Sequence, residues 1–99
     1  MPRLEKHLEN EAFLKKILTE NELILYKAFN HSRRKLEFLS GRFAAKEAYA
    51  KAVGTGIGQV DFLDFEVLYD DFGKPIHPNC LVSISHDGDY ALAVVILNG

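Results

Sequence analysis

The sequence predicts an α+β fold: helices in the N-terminal half, then a small antiparallel sheet. Three observations carry this. Apolar residues recur at helical spacing as far as about Val53. From Phe65 onward the apolar period drops to two. Helices come first and strands afterwards, the order of an α+β chain.

The elements follow in order. Leu4, Leu8, Ala12 and the Ile17-Leu18 pair suggest an amphipathic helix over about 3–18. Thr19 and Glu22 have the spacing of a capping box, which starts a short helix from Glu20 to Phe29. Asn30 and His31 break it. Ser32 is the expected N-cap of a long helix that runs to about Val53, and Gly54 is placed as its left-handed C-terminal cap. Phe65, Val67 and Tyr69 alternate with Glu66, Leu68 and Asp70 as in a strand, and Asp70-Asp71-Phe72-Gly73 reads as a turn. Val82 and Ile84 alternate with Ser83 and Ser85. His86 to Tyr90 reads as a hairpin with Asp87-Gly88 near its tip. Tyr90 to Leu97 is apolar on both faces and is expected to be a buried central strand. Three strands leave an edge open, and another subunit is the simplest cover for it.

Ninety-nine residues fit one domain over 1–99. The single Cys80 excludes an internal disulfide framework and fits a reducing, cytoplasmic setting. No secretory signal is visible, and the longest apolar run, Ala91 to Leu97, is too short to span a bilayer. The formal net charge of −2 and the lack of an aromatic platform argue against nucleic acid. Charge is nonetheless uneven. Residues 1–51 carry 11 Lys/Arg against 7 Asp/Glu, whereas residues 52–99 carry 1 against 7. The basic half suits an acidic partner or a phosphorylated ligand.

The candidate chemistry centres on 38–58, FLSGRFAAKEAYAKAVGTGIG. At about 100° per residue, Ser40, Ala44, Glu47, Lys51 and Gly54 fall in one sector of a helix. Glu47 and Lys51 read either as a solvated ion pair or as a carboxylate and an ammonium set for a bulky polar ligand. The glycines at 54–58 follow a helix, so they match neither a Rossmann nor a P-loop pattern. Arg33, Arg34, Lys35 and Arg42 form a basic patch, and Arg near a helix start works against the dipole. Ser85 and His86 are strand neighbours that point to opposite faces, which disfavours a Ser-His nucleophile pair. His86 reads as a strand-end hydrogen-bonding or phosphate-binding group, or as a plain surface histidine. His7, His31 and His77 lack metal-ligand spacing.

Taken together, LEFLSGRFAAKEAYAKAVGTGIG at 36–58, FEVLYDDFGKP at 65–75, VSISH at 82–86 and DYALAVVIL at 89–97 resemble the holo-[acyl-carrier-protein] synthase family of small 4'-phosphopantetheinyl transferases. The likeness runs from about Arg3 to Leu97. It implies a 4'-phosphopantetheinyl transferase-like fold whose sheet is completed at a subunit interface, typically in a homotrimer. It implies Mg²⁺-dependent transfer of 4'-phosphopantetheine from coenzyme A to a serine of apo-acyl carrier protein, in fatty acid biosynthesis. On this mapping Glu47 holds the metal and is a candidate base, and Lys51 contacts phosphate or assists the leaving group. Arg42 and His86 are candidates for the nucleotide phosphates, and Gly73-Lys74-Pro75 for the adenosine end. Gly54 and Ser85 fall in the matching cofactor-binding segments, and Arg3 on the surface that meets the carrier protein. The family's opening GIGxD strand and its second magnesium ligand are not in the sequence, and the segment from Pro75 to Val82 is short for the family. In an active member, water or another carboxylate such as Asp64 takes the place of that ligand. The competing expectation is an impaired member that only binds carrier protein or nucleotide; a basic RNA-associated scaffold is a third.

Overall fold

The computed structural model describes residues 4–54, 61–71, 73–87 and 90–97. Three helices are followed by antiparallel strands, as the period change predicts, but among the described residues these form two separate pairs and not one three-stranded sheet. A 3₁₀ turn, Leu4–His7, precedes α1, Glu11–Ile17. The single helix expected over 3–18 is therefore broken. Asn10 is the reason: its side chain accepts from Phe13 N at 3.1 Å and starts α1 afresh. The Tyr26 hydroxyl meanwhile donates to Leu8 O at 2.8 Å.

The capping box forms as read. Thr19 accepts from Glu22 N at 3.2 Å, and Glu22 accepts from Thr19 N at 2.8 Å, opening α2, Glu20–Ala28. The long helix α3 spans Ser32–Ala52. Ser32 is its first residue and not its N-cap. His31 holds the cap position without a side-chain bond, and packing fixes the entry, with the Phe29 and Phe38 rings 5.6 Å apart. Gly54 at φ +79° and Gly73 at φ +81° occupy the left-handed region, ending α3 and the turn after Asp70 respectively. Residues 55–58 of the glycine loop lie outside the described residues.

The strand expected over 65–69 shrinks to β1, Leu68–Tyr69, which pairs with β2, Pro75–Ile76. Side chains claim the backbone of the preceding residues, so no ladder forms there. Lys46 Nζ donates to Phe65 O at 2.7 Å. Val67 N donates to Glu22 Oε2 at 2.9 Å, and Arg42 Nε donates to Val67 O at 3.1 Å. The hairpin is present: β3, Cys80–Asp87, pairs with β4, Tyr90–Leu97, with Asp87 opposite Tyr90. Its tip lies outside the described residues.

Helix α3 lies across β3 and β4. One core joins Leu4, Leu14, Ile17, Tyr26, Phe38 and Leu39; a second joins Ala45, Phe65, Val67, Cys80 and Val82. The burial expected for both faces of β4 is corrected. Ala91, Ala93 and Val95 are half-buried, while Tyr90, Leu92, Val94 and Ile96 are more than half exposed. In this chain β4 has one covered face.

Candidate functional site

Phe38 and Arg42 are one turn apart on α3 and face the 65–69 segment. The Arg42 guanidinium carbon sits 4.3 Å from the Phe38 ring centroid and 4.4 Å from that of Tyr69. Nε donates to Val67 O, and Nη1 lies 3.5 Å from the Tyr69 hydroxyl. Nη2 is buried without a partner among the described residues, in a residue only 2% exposed. Burial pushes the guanidinium pKa down, and Tyr69 and Glu22 partly oppose this. A buried donor with no acceptor is costly, and a charged one more so. The arrangement suits an anion supplied from outside.

A cavity of about 260 Å³ adjoins Arg42, lined also by Phe29, Arg34, Glu37, Phe38, Tyr69, Gly73, Pro75, Ile84 and His86. Helix α3 can approach β3 closely here because residue 41 is glycine. A Cβ on Gly41 would lie 3.0 Å from Ile84 Cγ2 and 3.4 Å from His86 Cε1. Two arginines and a histidine face one carboxylate, Glu37, which Arg33 approaches at 3.5 Å. Aromatic walls with a cationic floor fit a flat base carrying phosphate.

The structure thus gathers Arg42, Gly73, Pro75 and His86 into one cavity. Lys74 departs from that group: it lines a second cavity of about 480 Å³, with His77 and Cys80. Ser85 is exposed and pairs with Leu92, so it is not at the cavity either. Gly54 serves as a helix cap. Arg3 lies outside the described residues. Glu47 is half-buried and Lys51 exposed, and no salt bridge joins them among the described residues. Glu47 is five positions on from Arg42, about 140° around the helix, so the two point to different sides.

Arg34 had been visible only as part of a basic patch, and Glu37, Phe38 and Tyr69 carried no site signal beyond the four-residue step from Phe38 to Arg42. Glu22 and Lys46 were also missed. Both are fully buried, and Lys46 Nζ lies 2.7 Å from Glu22 Oε1. Lys46 also donates to Phe62 O at 2.8 Å and to Phe65 O at 2.7 Å. Burial lowers its pKa, against the pull of Glu22. All three ammonium protons are used, so Lys46 has none left for a ligand.

For a divalent cation the described residues offer little. No three His, Cys, Asp or Glu side chains come together among them. That excludes a cage made by the described residues alone, yet Mg²⁺ also binds through one or two carboxylates with substrate phosphates and water. Glu47 fits that smaller part.

The sequence pattern of the 4'-phosphopantetheinyl transferase superfamily matches residues 2–95. The chain belongs to this family. The 4'-phosphopantetheinyl transferases similar to it include a holo-[acyl-carrier-protein] synthase of Streptococcus agalactiae serotype III (strain NEM316), 51% identical over 94 residues, covering 89% of this chain and 79% of that relative. Another, from Geobacillus sp. (strain WCH70), is 53% identical over 97 residues, covering 91% of this chain and 81% of that one. The holo-(acyl-carrier-protein) synthase of Bacillus anthracis, solved in complex with CoA (3',5'-ADP), matches with TM-score 0.82 and 51% identity over 98% of this chain and 87% of its own. That of Neisseria meningitidis matches with TM-score 0.79 and 35% identity over the same shares. The family expected from the sequence is the family found, and it is a family of transferases.

Proposed function

We propose that this chain transfers 4'-phosphopantetheine from coenzyme A to a serine of an apo-acyl carrier protein. One observation carries the reading: the unpartnered Nη2 of buried Arg42 beside a cavity shared with His86, Gly73 and Pro75. A family member 51% identical was solved with CoA (3',5'-ADP), a ligand with the base and phosphates this cavity suits.

In the proposed reaction the serine oxygen attacks the phosphorus that carries pantetheine. The bond from that phosphorus to the bridging oxygen breaks, and adenosine 3',5'-bisphosphate leaves. The serine proton passes to a base, for which Glu47 is the candidate. Lys51, exposed one turn further on, is the candidate to steady the departing phosphate. Arg42, Arg34 and His86 hold the nucleotide end still while this occurs. Magnesium bound at Glu47 would neutralise charge on the diphosphate.

Glu47 and Arg42 face different sides of α3, so we further propose that the site closes between copies in a homotrimer. The uncovered apolar face of β4, with Leu81 of β3, is the surface proposed to bury. Two inactive variants, Glu47→Ala and Arg42→Ala, should then recover activity when mixed and re-assembled. No recovery would argue against a site shared between copies.

Incubation with apo-carrier protein, coenzyme A and Mg²⁺ tests the activity. The expected result is a mass gain of one phosphopantetheinyl group on the carrier protein. The single carboxylate at Glu47 favours a second reading, a member that binds nucleotide without turnover. Binding of adenosine 3',5'-bisphosphate with no mass gain at high protein concentration would establish that reading instead.

A further inference from the structure

Glu22 lies on α2, outside the cavity, yet it is tied to the cavity's central group. One carboxylate oxygen accepts from Lys46 and from Thr19 N. The other accepts from Val67 N at 2.9 Å. Val67 in turn receives Arg42 Nε on its carbonyl at 3.1 Å. One hydrogen bond and the short backbone of Val67 therefore link the carboxylate to the guanidinium's anchor. Lys46 clamps the same segment from its other end through Phe62 O and Phe65 O.

A role in stability alone does not account for this arrangement. Burying a carboxylate and an ammonium is commonly no better than packing apolar groups of the same volume. What the pair does, and apolar groups cannot, is fix the backbone of 62–67 at specified atoms. Without Glu22, Val67 is free to rotate its N–H elsewhere, and the carbonyl that sets Arg42 moves with it. Arg42 must be set accurately, because its free Nη2 has to meet a phosphate oxygen within a narrow range of distance and angle.

We infer that Glu22 is a positioning residue for the nucleotide cavity, acting through Val67 on the guanidinium of Arg42. The inference rests on the reading of that cavity as the nucleotide site. Glu22→Gln breaks the arrangement however the amide turns. With its oxygen toward Lys46, the NH₂ opposes Val67 N–H; with its oxygen toward Val67, the NH₂ opposes the ammonium.

The test is calorimetric titration of the full chain with adenosine 3',5'-bisphosphate, below the melting temperature of every variant. Glu22→Gln should weaken binding about tenfold, the scale of one hydrogen bond to a charged group. Asn10→Ala, which removes the remote α1 cap, should lower the melting temperature and leave binding unchanged. Arg42→Lys should also weaken binding, and adding Glu22→Gln to it should weaken binding no further. In the transfer assay the Glu22→Gln loss should fall on KM for coenzyme A and spare kcat. If Glu22→Gln does not fold, Glu22→Asp keeps the charge against Lys46 but withdraws from Val67, and should show the same loss of binding. Unchanged binding in a folded Glu22 variant, or additive losses in the double variant, would overturn the inference. If the unmodified protein does not bind the nucleotide, the reading of the cavity falls, and this inference with it.

Discussion

Gly41→Ala sets two effects of similar size against each other. In a helix interior Ala is favoured over Gly by about 0.8–1 kcal/mol. Gly41 lies in the middle of α3, so the intrinsic term predicts a more stable protein. The new methyl, however, would stand 3.0 Å from Ile84 Cγ2, 3.4 Å from His86 Cε1 and 3.5 Å from His86 Nε2. Ile84 is β-branched and cannot readily swing away, and its strand is held by β4 at Ala93. Overpacking of this kind costs about 1–3 kcal/mol. The expected balance is a loss of about 1 kcal/mol, which lowers the melting temperature by about 4–8 °C for a chain of this size. The same push moves the His86 ring at the cavity wall. Affinity for adenosine 3',5'-bisphosphate should fall about fivefold, the equivalent of 1 kcal/mol. Thermal unfolding and nucleotide titration on one sample measure both. A higher melting temperature with unaltered affinity would refute the reasoning, since it would mean that α3 and β3 have room for a side chain between them.

Lys46→Met leaves the Glu22 carboxylate buried and the carbonyls of Phe62 and Phe65 without their donor; denaturant titration should show a loss of about 3–5 kcal/mol. A loss below about 1 kcal/mol, the worth of an exposed pair, would show that water reaches it. The Tyr26 hydroxyl pKa is pushed up from 10.0 to about 12, first by burial and then by Glu9 and Glu11. The unfolded chain therefore ionises this group first, so its contribution to stability is complete below pH 10 and is lost as pH rises toward about 12. Tyr26→Phe should flatten stability over that window, and an unchanged slope would assign the loss to other groups. Glu47→Ala should lower the transfer rate by roughly a hundredfold or more while nucleotide binding stays near that of the unmodified chain. A matching loss of binding would place Glu47 in the cavity with Arg42.

What could be read from the sequence was whatever depends on near neighbours. The Thr19–Glu22 capping box, the Gly54 cap and the β3–β4 hairpin each need only a few adjacent residues. The faces of the 65–69 segment were also legible, since Phe65 and Val67 are buried as their alternation predicts. Its pairing was not, because the competing partners, Glu22, Arg42 and Lys46, lie 19 to 45 residues away in sequence. Glu22 shows the limit most plainly. Its capping role follows from a spacing of three, while its contacts with Lys46 and Val67 follow from tertiary packing alone. The same holds for the cavity. The family likeness singled out His86 and Arg42, which line one cavity, but Lys74, just before β2, and Ser85, on β3, are close to them in the motifs and do not line it.

The direction of each side chain bears on how the proposed site closes. Around α3, Arg42 faces the cavity, while Glu47 stands about 140° further round. A side chain extends only a few ångströms from the helix axis, and no rotamer carries a carboxylate around a helix whose intervening faces hold Phe43 and Lys46 in the core. On the proposed reading, then, the nucleotide end and the reacting diphosphate of one coenzyme A cannot both be served by a single α3. Either a second copy brings its Glu47 to the first copy's Arg42, or Glu47 takes no part in the reaction. The mixing experiment separates these, because recovery from two inactive variants requires the first.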